Sequence, residues 1–166
     1  MTDAPASAAR PRSRRRFDSL EQEAYLHLWR AYDRLKGIED ELFSAHGLSA
    51  QQYNALRLLR SVHPGTMPVL VMGSRLISRA PDMTRMLDRL EKRDWVHRER
   101  RAENRRVVEV GITPAGIALL DQLADSVRDC HQRQLGHLSP EELQRLVELL
   151  NKARAPHEDL EGPWKP

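Results

Sequence analysis

Between residues 83 and 112 the hydrophobic pattern changes period in mid-run, and no other feature restricts the fold as much. In MTRMLDRLEKRD, Met83, Met86, Leu87 and Leu90 recur at i, i+3, i+4 and i+7, while Asp82, Arg85 and Arg89 share a different face. That is a helix packing inward and offering arginines outward. From Trp95 the pattern becomes that of a strand. Arg98 and Arg100 fall on one side, and Val108, Val110 and Ile112 return after a tip at Ala102-Glu103-Asn104-Arg105. An amphipathic helix therefore runs straight into a hairpin with a charged tip.

The remaining elements follow from capping and turn signals. Ser19 with Gln22 has capping-box spacing, Leu28, Tyr32, Leu35, Ile38 and Leu42 continue at helical intervals, and Gly47 supplies a stop. Ser49 with Gln52 repeats the box, with Leu48 able to staple onto Tyr53, and predicts a second helix to about Ser61. His63-Pro64-Gly65 marks a turn, and Pro68 suits the first position of a short third helix reaching Leu76. Thr113-Pro114 opens another helix, continued by Leu119, Leu120, Leu123 and Val127. Ser139-Pro140-Glu141-Glu142 opens the last, with Leu143, Leu146, Val147 and Leu150 on one face. No internal repeat is present.

Charge is unevenly spread along the 166 residues. Basic and acidic side chains number 10 and 8 over residues 1–74, 11 and 6 over 75–106, and 6 and 10 over 107–166. A basic excess confined to one contiguous segment is the footprint of a phosphate-binding surface, although a charge run is also the usual mark of a solvated face. With 40% hydrophobic and 31% charged residues the chain belongs with soluble globular proteins, and no apolar stretch is long enough to cross a bilayer. Residues 1–17 are rich in Ala, Pro, Ser and Arg and predict a disordered basic tail. They lack the apolar segment of a secretory signal, so a cytoplasmic location is expected; their Arg and Ala content loosely imitates a transit peptide, which is the alternative. The single cysteine, Cys130, has no internal partner for a disulfide, which fits a reducing compartment. With His131 and His137 it invites a metal or redox reading, but no close-spaced ligand set surrounds it, and no metal or cofactor is expected.

Helix, helix, strand, helix, helix, hairpin is the order of a winged helix-turn-helix, whose second helix of the pair lies in the major groove. The fold class predicted is mainly α with a small β-hairpin wing: a winged helix-turn-helix over 48–113, a helical dimerisation region over 18–47 and 114–155, and a C-terminal tail over 156–166. Leu76 to Leu90 with Thr84-Arg85, then LEKRDWVHRE, Asn104-Arg105-Arg106 and Ile112-Thr113-Pro114-Ala115-Gly116, resemble the recognition helix, wing and following helix of MarR-type bacterial transcription regulators. The resemblance spans roughly residues 20–153. It implies a homodimeric, sequence-specific regulator of double-stranded DNA, most often a repressor, with a cleft for small aromatic or carboxylate effectors. Asn104 stands where family members usually carry an aspartate that steadies the wing. Asp94 stands where the family commonly has glycine, so it must take up a left-handed conformation, which aspartate tolerates better than most residues.

The candidate DNA-binding residues are Arg79, Pro81, Asp82, Arg85 and Arg89 around the recognition helix, and Arg98, Arg100, Arg105 and Arg106 at the wing. Arg98 and Arg100 also read as strand charges paired with Glu99 and Glu103. The five tail arginines are either an extra nonspecific DNA arm or a solubilising segment. Tyr25, Trp29, Tyr32, His46, Tyr53 and Arg57 are the candidate effector pocket, against the alternative that an aromatic stripe at helical spacing is core or dimer interface. A winged-helix protein-interaction module without DNA specificity is the second reading. No nucleophile-and-base motif, glycine-rich phosphate loop or metal signature appears, so an enzyme is not expected.

Overall fold

The computed structural model describes residues 17–77, 82–100 and 107–158. Arg79, Pro81, Arg105 and Arg106 lie outside these, as do the tail to residue 16 and residues 159–166. The chain divides into two compact units, residues 1–36 and 37–166.

Helix α1, Leu20–Ala45, begins in the first unit and ends in the second. Ser19 caps it by accepting the Gln22 N–H at 3.1 Å, but the Gln22 amide oxygen reaches back to the N–H of Asp18 (2.8 Å), one residue before the position a full capping box requires. The ring of Phe17 meets His27 edge-on at 6.4 Å. Leu20, Tyr25, Leu28, Trp29 and Tyr32 all remain exposed.

In the second unit, Gly47 at φ +66° ends α1. Leu48 N–H bonds to Phe43 C=O and Gly47 N–H to Ser44 C=O, each at 3.0 Å, the two reverse bonds of a Schellman stop. Phe43 and Leu48 both enter the core, the apolar contact that accompanies this stop. Helix α2, Ala50–Arg60, carries the full Ser49/Gln52 capping box and buries Ala55, Leu56 and Leu59. Strand β1, Met67–Pro68, precedes α3, Val69–Arg75. Pro68 is thus not the first helical residue the sequence suggests. At ψ 136° it closes the strand and stands at the helix cap. A residue with no N–H suits this place, because β1 lies at the edge of a three-stranded sheet.

Helix α4, Met83–Lys92, is followed by β2, Val96–Arg100, and β3, Val108–Ile112. Both sheet pairings are antiparallel, with Arg98 opposite Val110 and Met67 opposite it on the other side. Helices α5, Pro114–Leu135, and α6, Pro140–Arg154, complete the unit, and a short 3₁₀ turn, Ala155–His157, follows. The core gathers Leu56, Leu59, Met72, Leu87, Leu90, Val96, Val110 and Leu123, so it lies among α2, α3, α4, α5 and the sheet. Each such side chain contributes about 1.5–3 kcal/mol by leaving water. Helix α6 is different: it has an apolar stripe but buries no residue.

The turn from α4 into β2 sets the angle between them. Asp94 has φ 57°, as required of it, with Asp94 N–H on Glu91 C=O (2.8 Å) and Trp95 N–H on Leu90 C=O (3.0 Å). Thr113 locks the turn to α5. Its hydroxyl donates to the Asp94 carbonyl and accepts the Gly116 N–H at 3.1 Å, while its own N–H goes to the Trp95 carbonyl.

Candidate nucleic-acid interface

The inward stripe of α4 consists of Met86, Leu87 and Leu90, all buried, with Met83 packed against the same core. Since these fix the rotation of the helix, Asp82, Arg85, Asp88 and Arg89 are turned to solvent. Asp82 is the N-cap: one carboxylate oxygen accepts the backbone N–H of Arg85 at 3.0 Å, and the other lies 3.0 Å from Arg85 Nε. Arg85 nevertheless keeps 79% of its side chain exposed. A shallow groove of about 220 Å³ runs beside it, bordered by Arg85, Arg89, Gln51 and Gln52. Its size suits a phosphate group or a base edge.

Arg98 is placed otherwise than its neighbours in sequence suggest. Its guanidinium crosses from β2 to α4, where Nη2 lies 2.7 Å from Asp88 Oδ1 and Nε lies 3.0 Å from Glu91 Oε2, with a second contact between Nη2 and that same Glu91 oxygen. Two carboxylates of α4 are therefore its partners. The physical reason is strand alternation: Arg98 pairs with Val110 on the core side of the sheet, the side on which α4 packs. Only 27% of the side chain is exposed. The Arg98 hydrogen bond holds the Glu91 carboxyl below its ordinary pKa, and the Arg98 pKa is raised in turn. Arg98 also borders a cavity of about 440 Å³ with Pro68, Leu70, Thr84, Leu87 and Val108. Arg100, two residues on, is exposed.

Three further residues of this face escaped the sequence reading. Glu109 is 6% exposed and accepts a hydrogen bond from the Thr66 hydroxyl. Arg93 lies over the Trp95 ring at 4.9 Å from its centroid and against Gly47, where an added methyl would come within 2.8 Å of its guanidinium. Asp88 serves as a partner for Arg98. The available signal was spacing: Asp88 and Glu91 are i and i+3, neighbours on one helix face.

The effector candidates separate by environment. Tyr25 and Trp29 are together, ring centroids 6.1 Å apart, and Trp29 with Leu26, His27 and Arg30 lines an open groove of about 860 Å³ in the first unit. Tyr32 is exposed nearby on the same helix. In the second unit Tyr53 stacks on Phe43, centroids 4.5 Å apart, and packs against the core, as the alternative reading expected. Burial pushes the Tyr53 phenol pKa up, while Arg57 and Arg60 act against it. Arg57 is exposed on α2, and His46 sits half-buried beside Gly47. Cys130 is buried in α5, and burial raises its thiol pKa, which keeps it protonated. Among the described residues no group of three His, Cys, Asp or Glu is placed to hold a metal, and no helix is long and apolar enough to cross a membrane.

A three-stranded sheet whose hairpin is clamped to a solvent-facing basic helix defines a winged helix-turn-helix, and comparison with known proteins agrees. The MarR family model matches residues 48–108. A MarR transcription factor from Planctomyces limnophilus is 60% identical and superposes with a TM-score of 0.66, over 82% of this chain and 98% of that one. The HTH-type transcriptional regulator MhqR of Bacillus subtilis is 27% identical over 77% of this chain and 87% of its own. A MarR variant from E. coli, solved in complex with operator DNA, is 26% identical with a TM-score of 0.69, over 81% and 94% of the two chains. The chain belongs to the MarR family of transcriptional regulators.

Proposed function

We propose that this protein is a homodimeric, sequence-specific DNA-binding repressor that acts in the cytoplasm on a pseudo-palindromic operator and responds to a small aromatic or anionic effector. The observation that carries the DNA reading is α4: the buried stripe leaves Arg85 and Arg89 outward on one face of a helix in the recognition position. The relative solved with operator DNA supports it. In this reading Arg85 and Arg89 enter the major groove, and Arg100, Arg105 and Arg106 meet backbone or minor groove.

Dimerisation is supported by two apolar faces, each without cover in its own unit. On α1 these are Leu20, Tyr25, Leu28, Trp29 and Tyr32, and on α6 Val147, Leu149 and Leu150, all exposed. Exposed apolar surface of this extent marks an interaction site.

Selection of duplexes from a random pool should enrich an inverted repeat with half-site centres one helical turn, ~34–36 Å, apart. Binding to an arbitrary duplex should fall steeply with salt, since each phosphate contact releases counterions. No binding to duplex at any salt would instead favour the protein-interaction module, and a monomer in sedimentation would remove the dimer. For the effector, the groove beside Trp29 and Arg30 offers an aromatic wall and a cation. Trp29→Ala should abolish the release of operator DNA by aromatic carboxylates in a small-molecule screen. An unchanged response would remove this groove as the effector site.

A further inference from the structure

We infer that Asp82 is a specificity-determining positioning residue: it holds the Arg85 guanidinium in the orientation that reads a base and away from the phosphates. This deepens the DNA reading and rests on Arg85 entering the major groove. The geometry is a closed ring around one residue. The Asp82 carboxylate accepts Arg85's backbone N–H on Oδ1 at 3.0 Å, and its Oδ2 forms an ion pair with Arg85 Nε, also at 3.0 Å. The hydrogen bond fixes the carboxylate to the helix, so the ion pair draws the guanidinium toward the helix as well. With its Nε side turned to Asp82, the guanidinium presents its two terminal nitrogens outward. That edge matches the paired acceptors O6 and N7 of guanine.

Stability does not account for an acid here. Asp82 and Arg85 side chains are 47% and 79% exposed, and an ion pair so exposed contributes little. Asparagine caps a helix as well as aspartate does, and the helix-dipole preference for an acid is small at an exposed end. A carboxylate on a face that meets DNA is also repelled by the phosphates. What the charge does is compensate Arg85: a guanidinium already paired with a carboxylate is a weaker attractor of phosphate but still a directional donor. The pairing also biases the long side chain away from rotamers that swing to the backbone, so part of the order it needs for base contact is present before binding.

The test uses the full-length protein, the operator obtained by selection, and duplexes carrying every single base-pair change in it. Wild type, Arg85→Ala, Asp82→Asn and the double variant are compared by fluorescence anisotropy, together with thermal melts and binding to a scrambled duplex. Arg85→Ala should erase discrimination at one base-pair position per half-site. Asp82→Asn should lower discrimination at that same position by roughly two- to fivefold, the worth of an exposed ion pair. It should also bind scrambled DNA more tightly and melt close to wild type, and it should add nothing to the loss in the double variant. Should Arg85→Ala leave base preference unchanged everywhere, the base-reading role of Arg85 fails and the proposal with it. Should Arg85→Ala relax one position while Asp82→Asn alters none, or alters a different one, base reading stands and the positioning role of Asp82 is overturned.

Discussion

Gly116→Ala is expected to destabilise the protein by about 2–3 kcal/mol, the upper part of the usual range for overpacking. For a chain of this size that lowers the melting temperature by roughly 4–12 °C. A methyl at this position would lie far inside van der Waals distance of the Trp95 carbonyl oxygen, with Ile112 Cγ1 at 2.8 Å. A side chain can rotate away from such a contact, but the Trp95 carbonyl is backbone and is itself engaged by the Thr113 N–H at 3.1 Å. Relief therefore requires the first turn of α5 to lift from the turn between α4 and β2. Because that turn aims the recognition helix relative to the wing, operator affinity should fall even well below the melting temperature. Gly37→Ala is the matched control. Nothing lies within 4 Å of a methyl there, and in a helix interior the change should stabilise by roughly 1 kcal/mol. Equal melting of the two variants would mean that the close approach at Gly116 is not a constraint.

Arg98→Met should cost about 1–3 kcal/mol, between the values for exposed and for buried ion pairs, since the guanidinium is only partly screened from water. The loss has two parts: the bonds to Asp88 and Glu91 disappear, and two carboxylates are left facing each other at the base of the wing. Adding Asp88→Asn and Glu91→Gln to Arg98→Met should recover most of the stability. A plain phosphate-contacting arginine predicts the opposite, no loss in the melt and no rescue. The pH dependence has a definite sign. The Glu91 pKa is lowered in the folded state, so its contribution is present above the ordinary carboxylate range and is lost as pH falls through the lowered value. Arg98, raised, stays charged throughout. The gap in melting temperature between wild type and Arg98→Met should therefore close as the solution is acidified, and a gap constant with pH would argue against the clamp.

These two sites differ in how much of them could be read in advance. The IleThrProAlaGly run at 112–116 was visible as a helix start, with Thr113 as cap and Pro114 in the first turn, and the structure bears this out. That Gly116 is needed for a close approach to Trp95, twenty-one residues away, was not visible. The strand-charge reading of Arg98 looks to Glu99 and Glu103, close to it along the chain, whereas across the sheet and onto α4 the carboxylates it meets are Asp88 and Glu91. Tyr53 shares its residue type with aromatics of α1, and the stack of its ring on Phe43 is a tertiary contact that residue type does not show.

What the sequence by itself determined were the features that act over one or two turns of chain. The capping boxes at Ser49 and Ser139, the stop at Gly47 and the stripe of α4 each depend on residues no more than seven apart, where covalent geometry limits the choices. The outward face of Arg85 and Arg89 followed from the stripe for the same reason. Tertiary structure alone decided which charges meet. It turned Glu109 inward onto Thr66 and laid Arg93 over Trp95 against Gly47. It also brought the Arg98 guanidinium of β2 to the carboxylates of α4. An ionic group is satisfied by whatever lies within about 4 Å of it in space, and neighbours at that distance are set by how the core packs the elements together, which spacing along the chain does not record.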